Sequence, residues 1–497
     1  MLGVKNTQYG SGWRLASLLA LSALVATFLV VGTAVGQTDT APDCGTVSYD
    51  GEGTETEPYE VSGVAGLACM GNTSTPANLN DSFVLVSDVD ATVTRSWNDG
   101  RGFKPIGRCL VLGDSNCTAV PFGGSFDGNS HTVTGLYIDR PNENLTGTFG
   151  AVGSGGSVVN LTLKDVDVTG GDFNRVGGLV GLSLGTVDGA RVTGEVTGEN
   201  FNAGGVVGAN DGEVTRSYAD VDVEGVAAVG GLVGNTDPNS TVTMSYATGD
   251  VTAERRAGGL VGRNIGLVSD SYATGNVTAT DEQAGGLTGS NQRNGTVTNS
   301  LAVASVGGGS STGGITGRLG AGEGEIGEEF AQDENETSSL VGVYWDTETT
   351  GQTNAVGERA PGEGNVIVEG TVGLTTDEIG GSAASETMPS LNFTDTWTIT
   401  DGYPVLAWQV DAAEDSGDDS ETNEIESNGT ASDENGEGDT DNTTDDTTGQ
   451  ETNEDEEGVD GGESNDGTDS GDGEGLPGFG VAAALIAVSL VIARRLG

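Results

Sequence analysis

A chain of 497 residues with 86 glycines, 75 Asp plus Glu and only 19 Lys plus Arg is not composed like an ordinary globular enzyme. Its formal net charge of -56 repels nucleic acid and anionic lipid headgroups, so no nucleic-acid partner is expected. The same charge keeps a protein soluble and is tolerated best where high salt screens self-repulsion, so a halophilic source fits.

At the N-terminus, Lys5 and Arg14 precede an apolar run from Leu15 to Val35 that ends in Ala34-Val35-Gly36, a small-residue cleavage pattern before Gln37. Residues 1–36 therefore read as a secretory signal peptide. The competing reading is a retained membrane anchor, because the run is long enough to span a bilayer. Residues 37–146 read as an N-terminal cap that holds all four cysteines, Cys44, Cys69, Cys109 and Cys117. In an exported chain these imply two disulfides, for which three pairings exist. The turn-forming stretch Gly113-Asp114-Ser115-Asn116 favours Cys109 with Cys117, leaving Cys44 with Cys69. Free thiols and a metal site are the alternatives, although the spacing is unlike the CxxC pairs of zinc sites. Twelve Asn-x-Ser/Thr sequons, at Asn72, Asn80, Asn116, Asn144, Asn160, Asn239, Asn276, Asn294, Asn335, Asn392, Asn428 and Asn442, are candidates for N-glycosylation on an exported chain.

Residues 147–320 carry a repeat. Gly177-Gly178-Leu179-Val180-Gly181 returns with its first glycine at Gly204, Gly230, Gly258, Gly285 and Gly313, in steps of 27, 26, 28, 27 and 28 residues. A fixed period in this range marks a stacked solenoid. A second block follows each glycine motif: Ser217-Tyr218-Ala219, Ser245-Tyr246-Ala247, Ser271-Tyr272-Ala273 and Ser300-Leu301-Ala302, with Val223, Val251, Val277 and Val306 a few residues on. Short, β-branched stretches punctuated by Gly and Asn form strands and turns. Two or three strands per repeat make an all-β parallel β-helix with rungs stacked about 4.8 Å apart. In the two earliest repeats Leu161 and Leu163, then Ala190 and Val192, occupy the Ser and Ala columns, while Thr162 and Arg191 occupy the Tyr column. Alternate residues of a strand face opposite sides, so the Ser and Ala columns point inward and the Tyr column outward. Tyr218, Tyr246 and Tyr272, continued by Leu301, then form an external ladder that is either a stacking platform for sugar rings or a ring stack that only ties rungs together. The paired glycines serve a left-handed corner or a close approach of rungs; no Gly-x-x-x-x-Gly-Lys-Ser/Thr phosphate loop is present.

With Ser-Tyr-Ala-Thr-Gly following the glycine units, these residues resemble the GLUG repeat of bacterial and archaeal surface proteins. The likeness extends to haloarchaeal GLUG proteins through Ser125-Phe126-Asp127-Gly128-Asn129-Ser130-His131-Thr132-Val133 before the repeats. After them come Val343-Tyr344-Trp345-Asp346-Thr347-Glu348 and Gly402-Tyr403-Pro404-Val405-Leu406. The flanking segments are expected to cap the open solenoid ends, the C-terminal one over 341–410 after an acidic loop at 321–340. The resemblance also includes immunoglobulin-cleaving metallopeptidases and adhesins; the chain lacks the His-Glu-x-x-His of the former.

Residues 411–475 contain no aromatic residue and no Lys or Arg, so they are expected to form a disordered, self-repelling stalk. Residues 476–497, with Pro477-Gly478-Phe479, an apolar run from Val481 to Ala493 and Arg494-Arg495, resemble the PGF-CTERM sorting signal of archaeal surface proteins. That resemblance implies processing by an archaeosortase and a lipid-linked product; a plain transmembrane anchor is the alternative, and both place the bulk of the chain outside the cell.

Chemistry is sparsely provided for. His131 is the sole histidine, which removes His-ligated zinc clusters and leaves one conceivable Ser/His/Asp arrangement. Asp165, Asp167, Asp220, Asp222 and Arg216 are the candidates for a polysaccharide lyase or hydrolase, a reaction class β-helices support, but none stands out from an acidic surface. No cofactor is expected, and no calcium-loop motif supports bound calcium. The expected protein is a non-enzymatic, membrane-anchored β-helix at the cell surface, for adhesion, glycan binding or envelope structure, with extracellular glycans or proteins as partners.

Overall fold

The computed structural model describes residues 40–72, 74–107, 120–171, 175–199, 201–320, 336–360 and 365–410. The expected signal peptide, Cys109 and Cys117, the stalk and Pro477, Gly478 and Phe479 lie outside them, as do Asn116, Asn335, Asn428 and Asn442.

The described chain is a parallel β-helix with four walls, the fourth of which is broken into two short strands in the later turns, as at Tyr246–Ala247 and Val251–Ala253. In the turn that begins at Asn202, the chain runs through Asn202–Gly204, Val207–Asn210, Glu213–Thr215 and Tyr218–Gly225. These strands belong to four walls, here sheets I to IV in that order. Each pairs in parallel with its counterpart one repeat on: Asn202 with Ala228, Val207 with Val233, Glu213 with Thr241 and Tyr218 with Tyr246. The chain thus has four walls where two or three strands per repeat are expected, and the Gly-Gly unit lies at the junction of sheets I and II.

The reason lies in how closely the glycines let backbone approach backbone. A Cβ on Gly205 would sit 2.2 Å from the carbonyl oxygen of Gly231, and one on Gly208 2.5 Å from the backbone nitrogen of Val176. None of the repeated glycines from Gly177 to Gly317 has a positive φ. Of the two readings open in the sequence, close approach is therefore the one realised. The left-handed corners are elsewhere, between sheets III and IV, where Arg216, Met244, Asp270 and Asn299 adopt φ of 44°, 47°, 50° and 48°. Serine follows each of them, and it stabilises the corner from inside. Ser217 N–H donates to Ser245 Oγ (3.1 Å), Ser245 N–H to Ser271 Oγ (3.1 Å) and Ser271 N–H to Ser300 Oγ (3.2 Å). Each hydroxyl donates in turn to a carbonyl of its own rung, as Ser217 Oγ does to Thr215 O at 2.8 Å. The inward column thus keeps its polar atoms satisfied where water is excluded.

The core is a stack of columns. Val158, Val187, Val214, Val242, Val268 and Val297 follow one another down sheet III, all fully buried. Leu179, Val206, Leu232, Leu260, Leu287 and Ile315 fill the centre from the glycine units. Burying each such side chain favours folding by about 1.5–3 kcal/mol. At the N-terminal end phenylalanines take over the interior, with Phe122 and Phe149 rings 5.1 Å apart and Phe126 and Phe149 5.6 Å apart. The helix Val64–Cys69 closes that end, tied by a disulfide between Cys44 and Cys69 and by Tyr49, whose hydroxyl donates to Gly66 O at 2.6 Å.

Two boundaries read from the sequence change. The acidic segment 321–340 is not loop throughout, since Thr337–Val341 is a strand of sheet III. The described part of the C-terminal segment is not one separate cap: its first strands pair onto the last repeat rungs. Residues up to Leu374 complete further rungs, and the chain from Thr376 to Gln409 then crosses the outer face of sheet IV, where the tyrosine column offers apolar surface to cover.

Candidate functional site

The outer face of sheet IV holds the residues that the repeat pattern singles out. Parallel register places Thr162, Arg191, Tyr218, Tyr246, Tyr272, Leu301, Tyr344 and Val372 in one column. The three tyrosine rings stack, with centroids 4.4 Å apart between Tyr218 and Tyr246 and 4.8 Å apart between Tyr246 and Tyr272. This spacing follows from the rung height, so the row is a direct product of repeating one sequence position.

The row is not an open platform. Tyr272 and Tyr344 are only 3% and 1% exposed, sealed with Leu301 beneath Ile379, Met388, Leu391, Trp397 and Leu406 of the C-terminal segment. Trp397 lies 6.0 Å from Tyr272 and Trp408 lies 5.7 Å from Tyr246, centroid to centroid. The Trp408 indole N–H donates to Met244 O at 2.9 Å, the carbonyl of a left-handed corner residue, and its ring faces the Arg191 guanidinium at 5.9 Å. Gln409 closes the arrangement through a side-chain contact of 3.1 Å with the Tyr272 hydroxyl and accepts from Leu406 N–H at 2.8 Å. Burial pushes the Tyr272 hydroxyl well above its usual range, with the neighbouring Tyr246 adding to it. Tyr218, at the N-terminal margin, is half-buried, and its hydroxyl lies 3.3 Å from Thr248 Oγ1.

The same segment explains why two motifs stand apart in the sequence. Asp346 and Tyr403 meet, the Tyr403 hydroxyl donating to Asp346 Oδ2 at 2.7 Å. Asp346 is fully buried as a residue and also accepts from Thr376 Oγ1 (2.7 Å), Thr349 Oγ1 (3.0 Å) and the N–H groups of Glu348 (2.8 Å) and Thr349 (3.1 Å). Burial by itself would raise this carboxyl, but the donors, led by Thr376 and Tyr403, outweigh it and hold it below the usual aspartate range. No signal short of the three-dimensional contact links residues 57 positions apart. Beside this hub, Thr376, Asp377, Gly380, Gly381, Ser382, Ala383, Asp401, Gly402 and Tyr403 line a groove of about 550 Å³.

The acidic candidates do not converge. Asp167 pairs with Arg95 at 2.9 Å and Arg216 with Asp188, whereas Asp220 accepts from Thr248 Oγ1 (3.0 Å) and Asp222 from Asp250 N–H (3.1 Å), each of these contacts tying one rung to another part of the stack. Asp165 is exposed at a left-handed position. His131 Nδ1 lies 3.2 Å from Asp88 in the N-terminal region. Among the described residues no group of three or more His, Cys, Asp and Glu is placed to hold a metal ion, and no helix is long and apolar enough to cross a membrane. Seven of the sequon asparagines, Asn72, Asn80, Asn160, Asn239, Asn276, Asn294 and Asn392, are exposed, and Asn144 is half-buried, so their accessibility suits modification.

A carboxylate pair that the sequence reading missed sits at the end of sheet II. Asp211 and Asp237 follow the paired residues Asn210 and Thr236 on adjacent rungs. Partial burial, then the hydrogen bond and charge of Asp237, push the Asp211 carboxyl up to about 7, against the opposing pull of Arg175. A raised carboxyl binds its proton more tightly folded than unfolded, so the pair's contribution to stability falls as pH rises from about 4 through about 7. Asp237→Asn is therefore expected to raise the melting temperature at pH 8 more than at pH 5, by an amount worth under about 1 kcal/mol at this partly solvated place. Equal gains at both pH values in thermal melts would dismiss the coupling.

A family model matches the repeat. The family model "The GLUG motif" matches residues 225–252 and 253–278. Halomucin of Haloquadratum walsbyi is 40% identical over 168 residues, 33% of this chain and 2% of that protein. A "Putative Gly-rich membrane protein" of Evansella cellulosilytica is 30% identical over 229 residues, 45% of this chain and 24% of that protein. The chain thus spans a minor part of the length of both relatives. A crystal structure described as a "putative immunoglobulin A1 protease" from Bacteroides ovatus is 18% identical with a TM-score of 0.43, covering 72% of this chain and 94% of that one.

Proposed function

We propose that this chain is a non-enzymatic β-helix of the cell surface, anchored at its C-terminus and serving adhesion or envelope structure. The observation that carries this reading is the use to which the tyrosine row is put. The face most suited to stacking on sugars is occupied by the protein's own C-terminal segment, from which the chain continues beyond Val410. A tether leaving from there loads Trp408 and Gln409 first, and these contact Met244 and Tyr272 on different rungs. Force is then shared across parallel strands rather than peeling the last rung. The halomucin match and the membrane-protein match support a surface location, and the GLUG match supports the repeat class. The PGF-CTERM-like end supports archaeosortase processing and membrane attachment. Calcium and other cofactors play no part in this reading. Glycan binding, where it occurs, is assigned to the margin of the row at Tyr218 rather than to its sealed part.

Protease shaving of intact cells, combined with incubation of the purified protein with neutral and acidic polysaccharides, tests this. Shaving is expected to release fragments of the β-helix, and the polysaccharides to remain uncut. New reducing ends or unsaturated uronates would overturn the non-enzymatic reading, and protection from shaving the surface location.

A further inference from the structure

The two ends of the solenoid are finished differently. The helix Val64–Cys69 and its disulfide close the first. At the other, Val356–Arg359 of sheet II, Asn365–Glu369 of sheet III and Val372–Leu374 of sheet IV are the last strands, each with a neighbour on one side only among the described residues. The inward side chains there are incompletely covered: Val356, Val366 and Val368 are half-buried, whereas Leu340, one rung earlier in the column of Val368, is fully buried. Ile367 and Val372 are 39% and 42% exposed.

Edge strands are ordinarily blunted by lysine, proline or a bulge. Asn365-Val366-Ile367-Val368-Glu369 has none of these and pairs with its neighbour without a register shift. Its backbone directions are set by the rung beneath, since Asn365 N–H donates to Glu336 O (2.9 Å) and Glu369 O accepts from Gly342 N–H (2.8 Å). Backbone groups alternate sides along a strand, so those of Val366 and Val368 point outward.

We propose that this edge joins two copies of the chain tail to tail, with Asn365–Glu369 pairing antiparallel to itself about a twofold axis at Ile367. The sequence is self-complementary in that register. Val366 and Val368 exchange hydrogen bonds across the axis, Ile367 meets Ile367, and the Asn365 amide faces the Glu369 carboxylate, so that no like charges are opposed. Head-to-tail stacking is disfavoured because the other end is closed. With a net charge of -56 on each copy, pairing should tighten as salt screens repulsion.

Sedimentation of the full-length chain in density-matched detergent, from low to multimolar salt, is expected to show a dimer that strengthens with salt. Ile367→Lys places two ammonium groups against each other at the axis and should weaken it by at least about tenfold. Ile367→Cys tests the geometry independently of stability. Non-hydrogen-bonded antiparallel partners approach to about 4.5 Å between Cα atoms, so mild oxidation should yield a covalent dimer that wild type and Glu213→Cys, farther along sheet III, do not form. A monomer at every salt concentration would overturn the proposal. So would a dimer indifferent to Ile367→Lys, or one that Ile367→Cys fails to cross-link.

Discussion

Gly231→Ala is expected to destabilise the β-helix by about 3 kcal/mol or more, an effect in the range of severe overpacking. The added methyl would lie 2.3 Å from Gly259 O and 2.8 Å from the Ala247 Cβ, so it meets the next rung's backbone on one side and the core on the other. Neither neighbour is the flexible tip of a long side chain, and relief requires separating rungs whose hydrogen bonds hold them at a fixed spacing. Gly307→Ala is the matched control: it lies in a strand of the same protein, has no positive φ, and a Cβ there meets nothing within 4 Å. Thermal or denaturant unfolding of both variants decides the matter. A Gly231→Ala protein as stable as Gly307→Ala would show that close approach is not what these glycines provide.

The second large effect is expected at Asp346. Replacing it by Ala leaves part-buried donors from Thr376 and Tyr403 and the more exposed ones from Thr349 and Glu348 without their shared acceptor, at a cost of roughly 1–3 kcal/mol. The loss should fall on the C-terminal segment rather than on the solenoid. Trp397 and Trp408 fluorescence would then report detachment of residues 376–409 at a temperature where the strand signal in circular dichroism persists. The pH dependence has a definite sign. Because the folded-state carboxyl is held below its unfolded value, its contribution is complete above about pH 4 and is lost as pH falls through the folded value. Acidification should therefore release the segment in the wild type, and Asp346→Asn should remove that dependence. Concerted loss of solenoid and segment in Asp346→Ala would instead make the two a single cooperative unit.

The segment decides what the tyrosine row can do. While it is docked, Tyr272 is unavailable to any external ligand. Glycan recognition by the whole row would require its release, so the variant that detaches the segment also tests the sugar-stacking role: binding gained by Asp346→Ala and abolished by adding Tyr272→Ala would restore it.

The amino-acid sequence by itself determined the repeat, its period and the direction of its side chains. A β-strand alternates faces, and columns kept in register over several repeats leave little freedom: Ser217, Ala219 and Val223 are inward, and Tyr218 is outward, as alternation requires. It did not determine what covers the outward column. Trp408 reaches Met244 across 164 positions and Tyr403 reaches Asp346 across 57, and nothing local in either partner encodes the other. The same division holds for the glycines. Their recurrence is plain in the sequence, but whether they serve a left-handed corner or a close approach depends on where the neighbouring rung lies. That is why Arg216 and Met244 occupy the left-handed positions while the paired glycines let backbone pack against backbone. Periodicity is a local property carried by each repeat, whereas closure of a face is a contact between distant segments, and only the tertiary structure brings those together.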